Sequence, residues 1–203
     1  VTTSSAMHII NQCPQRHTKQ INMANYCTNY VTLYGNQEDL KTIDERLSRY
    51  DEFDYFTNFC EMVLGKPISE GNFYGYQYGT KWWEFDIVDL GDGSLNIQGC
   101  SAWNPPLQFI AEITKVFNVR AEGDYYESGN DFAGIYVAED GVLTDTEMTC
   151  FEYDLTEDRG YTIERLIEDI NDGTLSLDYT KDKCKQLLTE DEWNQILTET
   201  KNK

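Results

Sequence analysis

Between residues 26 and 50 the chain changes its hydrophobic period once, and the change falls at a glycine. Residues 26–35 (YCTNYVTLYG) alternate. Cys27, Asn29, Val31 and Leu33 share one side of an extended backbone, and Tyr30, Thr32 and Tyr34 share the other. Alternation with one largely apolar side is the pattern of a half-buried strand. Gly35 closes it, and Asn36 stands where a helix needs a side-chain acceptor for its first N–H groups. Leu40, Ile43, Leu47 and Tyr50 then recur at helical spacing, with Glu38 and Asp39 in the first turn, where the helix dipole favours acids. A one-sided strand that runs straight into a one-sided helix must bury both stripes in a shared layer, which restricts the chain to helix-on-sheet architectures.

The same reading supplies the remaining elements. Phe53, Phe56, Cys60, Val63 and Leu64 predict a second short helix, stopped by Gly65 and Pro67. Residues 71–80 (GNFYGYQYGT), rich in Gly and Tyr, predict an irregular loop. In WWEFDIVDL, Trp83, Phe85 and Ile87 alternate with Trp82, Glu84 and Asp86; GDG at 91–93 reverses the chain, and Leu95 and Ile97 alternate in the return, giving a hairpin. Asn104 before Pro105 and Pro106 predicts a cap followed by proline in the first turn, with Leu107, Ile110, Ala111 and Phe117 as the apolar face of that helix. Asn118 ends it, and VRAEGDYYE is the next strand. Strand, helix, hairpin, helix, strand is the βαββαβ order of the ferredoxin-like α+β arrangement: an antiparallel sheet with helices on one face.

FAGIYVA and VLTDTEMTCFEY, joined at Glu139-Asp140-Gly141, extend that sheet by a C-terminal hairpin. Thr162 caps a helix with Ile163, Leu166, Ile167 and Ile170 inward, ended at Asp172-Gly173. Thr189 with Glu192 forms a capping box that opens a last helix, Trp193–Leu197. The expected organisation is a leader over 1–22, a ferredoxin-like domain with its C-terminal extension over 23–178, and a C-terminal helix within 179–203.

Composition narrows the chemistry. With 36 acids against 16 bases the chain carries −20, the wrong sign for direct binding to nucleic acid. Both histidines, His8 and His17, lie in the leader. The body therefore offers no imidazole for a Ser-His-Asp triad, a Cys-His pair or a His-ligated metal. Cys13, Cys27, Cys60, Cys100, Cys150 and Cys184 are never closer than 14 residues, so no zinc-knuckle spacing exists, and buried reduced thiols are expected. No phosphate-loop, dinucleotide or calcium-loop pattern is present, so neither a cofactor nor a metal is expected. The leader holds no acid, and its best apolar run, Ala6–Ile10, is interrupted by His8. It reads as a flexible arm, or as an upstream extension before Met23, rather than as a signal peptide. No stretch approaches the ~18–20 apolar residues of a membrane span.

Four ordered stretches carry a resemblance. They are Met23, Asn25, Tyr26, Cys27 and Asn29; then Gly79, Thr80, Lys81 and Trp82; then Ala102, Trp103, Pro105 and Pro106; then Tyr126, Glu127, Gly129, Phe132, Ala133 and Gly134. In this order they resemble the Api-ninety-two-like ferredoxin-like domain family of phages and plasmids. Ser101 and Asn104 depart from the family pattern, and the acidic tail from Val142 onward is not covered by it. The resemblance implies a ferredoxin-like fold, Met23 as the start, and work in the cytoplasm of a bacterial host. It implies no reaction.

Two surfaces are candidates for function. The first is an aromatic cluster at strand ends: Trp82, Trp83, Trp103, Asn104, Tyr125, Tyr126 and Glu127, the mixture of rings and a few polar groups that a small-molecule or nucleotide-derivative site requires. The second is acidic. Residues 121–178 hold 17 acids against 2 bases, and Glu164, Glu168 and Asp172 form a row on one helix face, with Asp154, Glu157, Asp158 and Asp169 nearby. Such a row resembles the dense negative charge of DNA and can occupy the basic groove of a nucleic-acid-binding protein. The expectation is therefore an acidic interaction protein that blocks a host defence enzyme acting on nucleic acid. The alternatives are a ligand-binding module at the aromatic cluster and a hydrolase built on paired carboxylates, for which no catalytic set can be singled out.

Overall fold

The computed structural model describes residues 25–66, 77–155, 163–184 and 187–200. The described residues up to Glu147 form one compact unit, and those from Met148, the last residue of the final strand, onward form another. The first holds β1 (Tyr26–Tyr34), α1 (Gln37–Leu47), a short 3-10 turn (Tyr50–Glu52), α2 (Phe56–Leu64), β2 (Trp83–Leu90), β3 (Ser94–Ala102), α3 (Leu107–Phe117), β4 (Arg120–Glu127), β5 (Phe132–Glu139) and β6 (Val142–Met148). The second holds α4 (Cys150–Asp154), α5 (Ile163–Asp172), α6 (Leu177–Cys184) and α7 (Glu190–Thr200).

The fold is ferredoxin-like, enlarged to a six-stranded sheet in the order β2-β3-β1-β4-β5-β6. β1 is central and pairs antiparallel with β3 on one side and β4 on the other. Registers align Phe85, Gly99, Asn29, Tyr125 and Gly134 in one transverse row, and Ile87, Ile97, Val31, Gly123 and Tyr136 in the next. These rows face the helices. Val31 and Leu33 share one core with Leu40, Ile43, Phe59, Phe109, Ile110 and Phe117, so α1, α2 and α3 all cover the same side of the sheet.

Between β4 and β5 each strand contributes one glycine and one tyrosine. Tyr125 lies over Gly134 and Tyr136 over Gly123; a Cβ added at either glycine would meet the tyrosine hydroxyl at 2.4 Å. The glycines are what let both rings lie flat across the neighbouring strand.

Local capping decides several boundaries. Asn36 caps α1, its Oδ1 accepting the Asp39 N–H at 3.0 Å. Thr189 and Glu192 form the expected box at α7. Asn104, however, does not cap α3: the cap position is Pro106, and it makes no side-chain bond. A residue before proline is pushed out of the helical region, and two consecutive prolines move the start beyond both. β6 stops at Met148 instead of continuing to Tyr153, because Thr149 and Glu152 form a capping box and begin α4. α6 has no counterpart in the sequence reading: it buries Thr180 and Cys184, which leave no apolar stripe to detect.

The cysteines need a correction. Cys27, Cys60, Cys150 and Cys184 are buried and in no disulfide, but Cys100 is disulfide-bonded. Distance along the chain says nothing about how closely two Cα atoms approach in space, which is what pairing requires. No described helix is long and apolar enough to cross a membrane. The leader over 1–22, the loop over 71–76, Thr162, Glu157 and Asp158 lie outside the described residues.

Candidate functional site

The hydrogen bonds around the residues singled out at the strand ends run to neighbouring side chains and to backbone. Trp103 N–H donates to Asn25 O at 2.9 Å. Asn29 Nδ2 donates to Ser101 Oγ at 2.8 Å, and Ser101 Oγ donates to Asn104 O at 2.7 Å. Thr80 Oγ1 is 2.9 Å from Ala102 O. Trp83 is fully buried between Phe85 and Phe109, with centroids 4.6 and 6.4 Å away, and its Nε1 has no hydrogen-bond partner among the described residues.

Tyr125 is 2% exposed, and its hydroxyl donates to the Asp145 carboxylate at 3.1 Å. Burial and the neighbouring Asp145 push the Tyr125 phenol well up. Desolvation also raises the Asp145 carboxyl, against the pull of the Tyr125 hydrogen bond. Glu127 is 2% exposed; its carboxylate accepts the N–H groups of Gly129 and Asn130 at 2.7 and 2.8 Å, tying down the β4–β5 turn. Trp83, Tyr125 and Glu127 therefore serve the fold. Trp82, Trp103 and Tyr126 are half-buried, Asn104 is exposed, and Trp82 meets Tyr26 edge-on at 5.5 Å.

In the second unit α5 turns Leu166 and Ile167 inward against Ile196 of α7, while Glu164, Glu168 and Asp172 are exposed. At 1.5 Å rise per residue the three carboxylates stand roughly 6 Å apart along the axis. Asp172 Oδ1 also accepts the Thr174 N–H at 2.9 Å, which ends the helix. Arg165 is exposed on the same helix, Asp169 is half-buried, and Asp154 sits half-buried at the end of α4. Among the described residues no group of three His, Cys, Asp or Glu is placed to hold a metal ion.

A third surface was not singled out from the sequence. The sheet face turned away from α1, α2 and α3 carries Tyr26, Tyr30 and Tyr34, exposed by 45, 39 and 40%. Registers set Asp86, Gln98, Tyr30, Asp124 and Ile135 in one row of this face. Asn96, Thr32, Glu122 and Val137 form the next row, and Ser94, Tyr34, Arg120 and Glu139 the one after. Thr32 Oγ1 donates to Asn96 Oδ1 at 2.8 Å, and Arg120 pairs with Glu122. Towards the other end of the face Cys100, Ala102 and Ala133 are buried. The strand alternation had already placed Tyr30 and Tyr34 opposite the buried stripe; what it lacked was that all three helices choose one side.

Residues 77–166 match the family described as the ferredoxin-like domain in Api92-like protein. The Api92-like match runs from the turn before β2 through all of β2–β6 and α4 into the first residues of α5. It contains three of the four motif stretches that carried the resemblance; the stretch from Met23 to Asn29 precedes it. Two residues of those motifs, Thr80 and Glu127, bind backbone: Thr80 at Ala102 O, and Glu127 at the Gly129 N–H. Neither the curated proteins nor the solved structures contain a significant match to the chain.

Proposed function

We propose that the protein is a binding protein whose partner is basic, and that it docks through the exposed acidic row of α5. The observation that supports this reading is the exposure of Glu164, Glu168 and Asp172 on one side of a helix whose other side is anchored by Leu166 and Ile167. A fixed row of carboxylates steers a cationic partner and aligns it, and an anchored helix holds that row in one geometry. The partner class is a nucleic-acid-binding protein whose basic groove the row fills. With the resemblance to proteins of phages and plasmids, the target becomes a host defence enzyme acting on nucleic acid, and the role is inhibition. The aromatic cluster supports a ligand site less well, because Trp83, Tyr125 and Glu127 are buried and occupied by the fold.

The test is capture from a bacterial lysate at low and high salt, with wild type beside the combined Glu164→Lys, Glu168→Lys, Asp172→Lys variant. The wild type should capture a nucleic-acid-binding protein and displace nucleic acid from it. Capture should fall as salt rises, because exposed charges are screened beyond about 8 Å at physiological ionic strength. The variant should lose capture while melting at the same temperature or slightly higher, since three lysines lower the excess negative charge of the chain. Salt-insensitive capture that survives the three substitutions sinks the reading.

A further inference from the structure

We infer that Cys100 is bonded to Cys13, and that this disulfide is a redox-reversible staple seating the N-terminal segment on the sheet face turned away from α1, α2 and α3. Cys100, on β3, is disulfide-bonded. The chain has six cysteines, and Cys27, Cys60, Cys150 and Cys184 are in no disulfide. Cys13 lies outside the described residues, and it is the one thiol left in the chain to close the bond.

Reach and burial agree with that pairing. Cys100 stands opposite Thr28 of β1 and Glu84 of β2. The stretch from Cys13 to Thr28 spans about 50 Å when extended. That far exceeds the ~5 Å between paired strands, so the chain can turn back over the sheet. The face is open at Tyr30 and Tyr34, but its small residues near Cys100 are covered: Cys100 is 4% exposed, and Ala102 and Ala133 are fully buried. A small side chain on a sheet surface is shielded only by what lies beside or over it, and α1, α2 and α3 lie on the other side. Desolvation also raises the Glu84 carboxyl, directly across from Cys100. Charge suits the same occupant. Residues 1–22 hold no acid and carry Arg16 and Lys19, whereas this face bears Glu84, Asp86, Glu122 and Asp124.

Closing the bond takes one hydrogen from each thiol. One thiolate attacks a small-molecule disulfide such as oxidised glutathione and expels one glutathione thiol. The other attacks the resulting mixed disulfide and expels the second, so two electrons and two protons leave with the two glutathiones. Excess thiol reverses both steps, as it does for redox-sensing disulfides. Because β1 pairs with β3, the bond closes only the stretch between Cys13 and Thr28. Reduction therefore releases the N-terminal segment without unzipping the sheet, and the surrounding thiol–disulfide balance sets whether the Cys100 end of the face is covered.

The experiment is cysteine labelling and peptide mapping of the full chain, treated with oxidised glutathione, freed of it, and denatured in excess iodoacetamide. Four cysteines should be labelled in the wild type and six after prior reduction. Trypsin should release the peptide of residues 1–16 joined to that of residues 82–115. Cys13→Ser should leave five cysteines labelled, Cys100 among them, and this readout does not depend on how well the variant folds. Reduction should lower the melting temperature of the wild type by roughly 5–10 °C and leave that of Cys13→Ser unchanged. Six labelled cysteines without reduction overturn the inference, as does a Cys100 that stays blocked in Cys13→Ser. A joined pair of other peptides, or the expected pair found only in covalent dimers on a non-reducing gel, overturns it too. Wild-type melting indifferent to reduction rules out the staple.

Discussion

β1 has two faces of nearly equal length and opposite fate. Cys27, Asn29, Val31 and Leu33 are closed off under α1, α2 and α3, while Tyr26, Tyr30 and Tyr34 remain at the surface one residue away in each case. The first face is apolar enough to supply the driving force for folding. The second is built of the residue type that contacts partners well, a rigid ring with a polar tip. Parity along β1 thus divides its labour: one set of side chains makes the core under α1, α2 and α3, and the other keeps rings at the surface.

That division can be broken most strongly at Leu33. Leu33→Ala should cost ~2–5 kcal/mol in chemical denaturation, because the side chain is fully buried in the shared core. An unmoved denaturation midpoint would mean the helices do not cover this face. Next comes Gly123→Ala, where the added Cβ would meet Tyr30 O at 2.2 Å and the Tyr136 hydroxyl at 2.4 Å. Overpacking there should cost about 1–3 kcal/mol, with a cooperative transition retained; a neutral result would show that the Tyr136 ring does not cross the strand.

On the other face Tyr34→Ala should cost under about 1 kcal/mol, since the ring is 40% exposed. A loss as large as that of Leu33→Ala would erase the contrast between the faces.

The smallest effect belongs to Asp145, at the rim of the closed face. Desolvation raises its carboxyl above the ordinary aspartate value. Folding then binds the proton more tightly, so this contribution to stability is present below the unfolded pKa and is lost as pH rises through the folded one. Asp145→Asn should accordingly stabilise the protein slightly at pH 7, by under about 1 kcal/mol after solvent screening, and the gain should disappear below about pH 4. Melting temperatures of both proteins across that range check it; a gain constant with pH would assign the effect to something other than the charge.

The elements that could be read from sequence are those whose signal is local and one-sided. β1 and α1 are such a case, because Leu33 and Leu40 lie on clean stripes flanking the Asn36 cap. Two boundaries misled for local reasons: Pro105 and Pro106 overrule Asn104, and Thr149 with Glu152 cuts β6 short. The surfaces were legible only in part. Exposure of Glu164 and Glu168 follows from helical periodicity, but the burial of Glu127 does not, because nothing in a Glu-rich chain marks which carboxylate will bond a turn. The open face needed the sheet registers, since Tyr30 meets Asp124 and Asp86 only after three other strands take their places around β1.

The crossed pairs Tyr125–Gly134 and Tyr136–Gly123 carry a consequence for how the chain avoids misfolding. A strand can slip along its neighbour by two residues and still keep the same side chains facing the helices, so burial alone does not forbid that error. Here the slip in one direction would bring Tyr125 opposite Tyr136 and leave both glycines without a tyrosine across from them. The two rings act as a steric key cut into the β4–β5 hairpin. Because the key lies within a single short loop of chain, the hairpin can test its own alignment before distant strands arrive, and an incorrectly threaded sheet has little chance to persist long enough to associate with another copy.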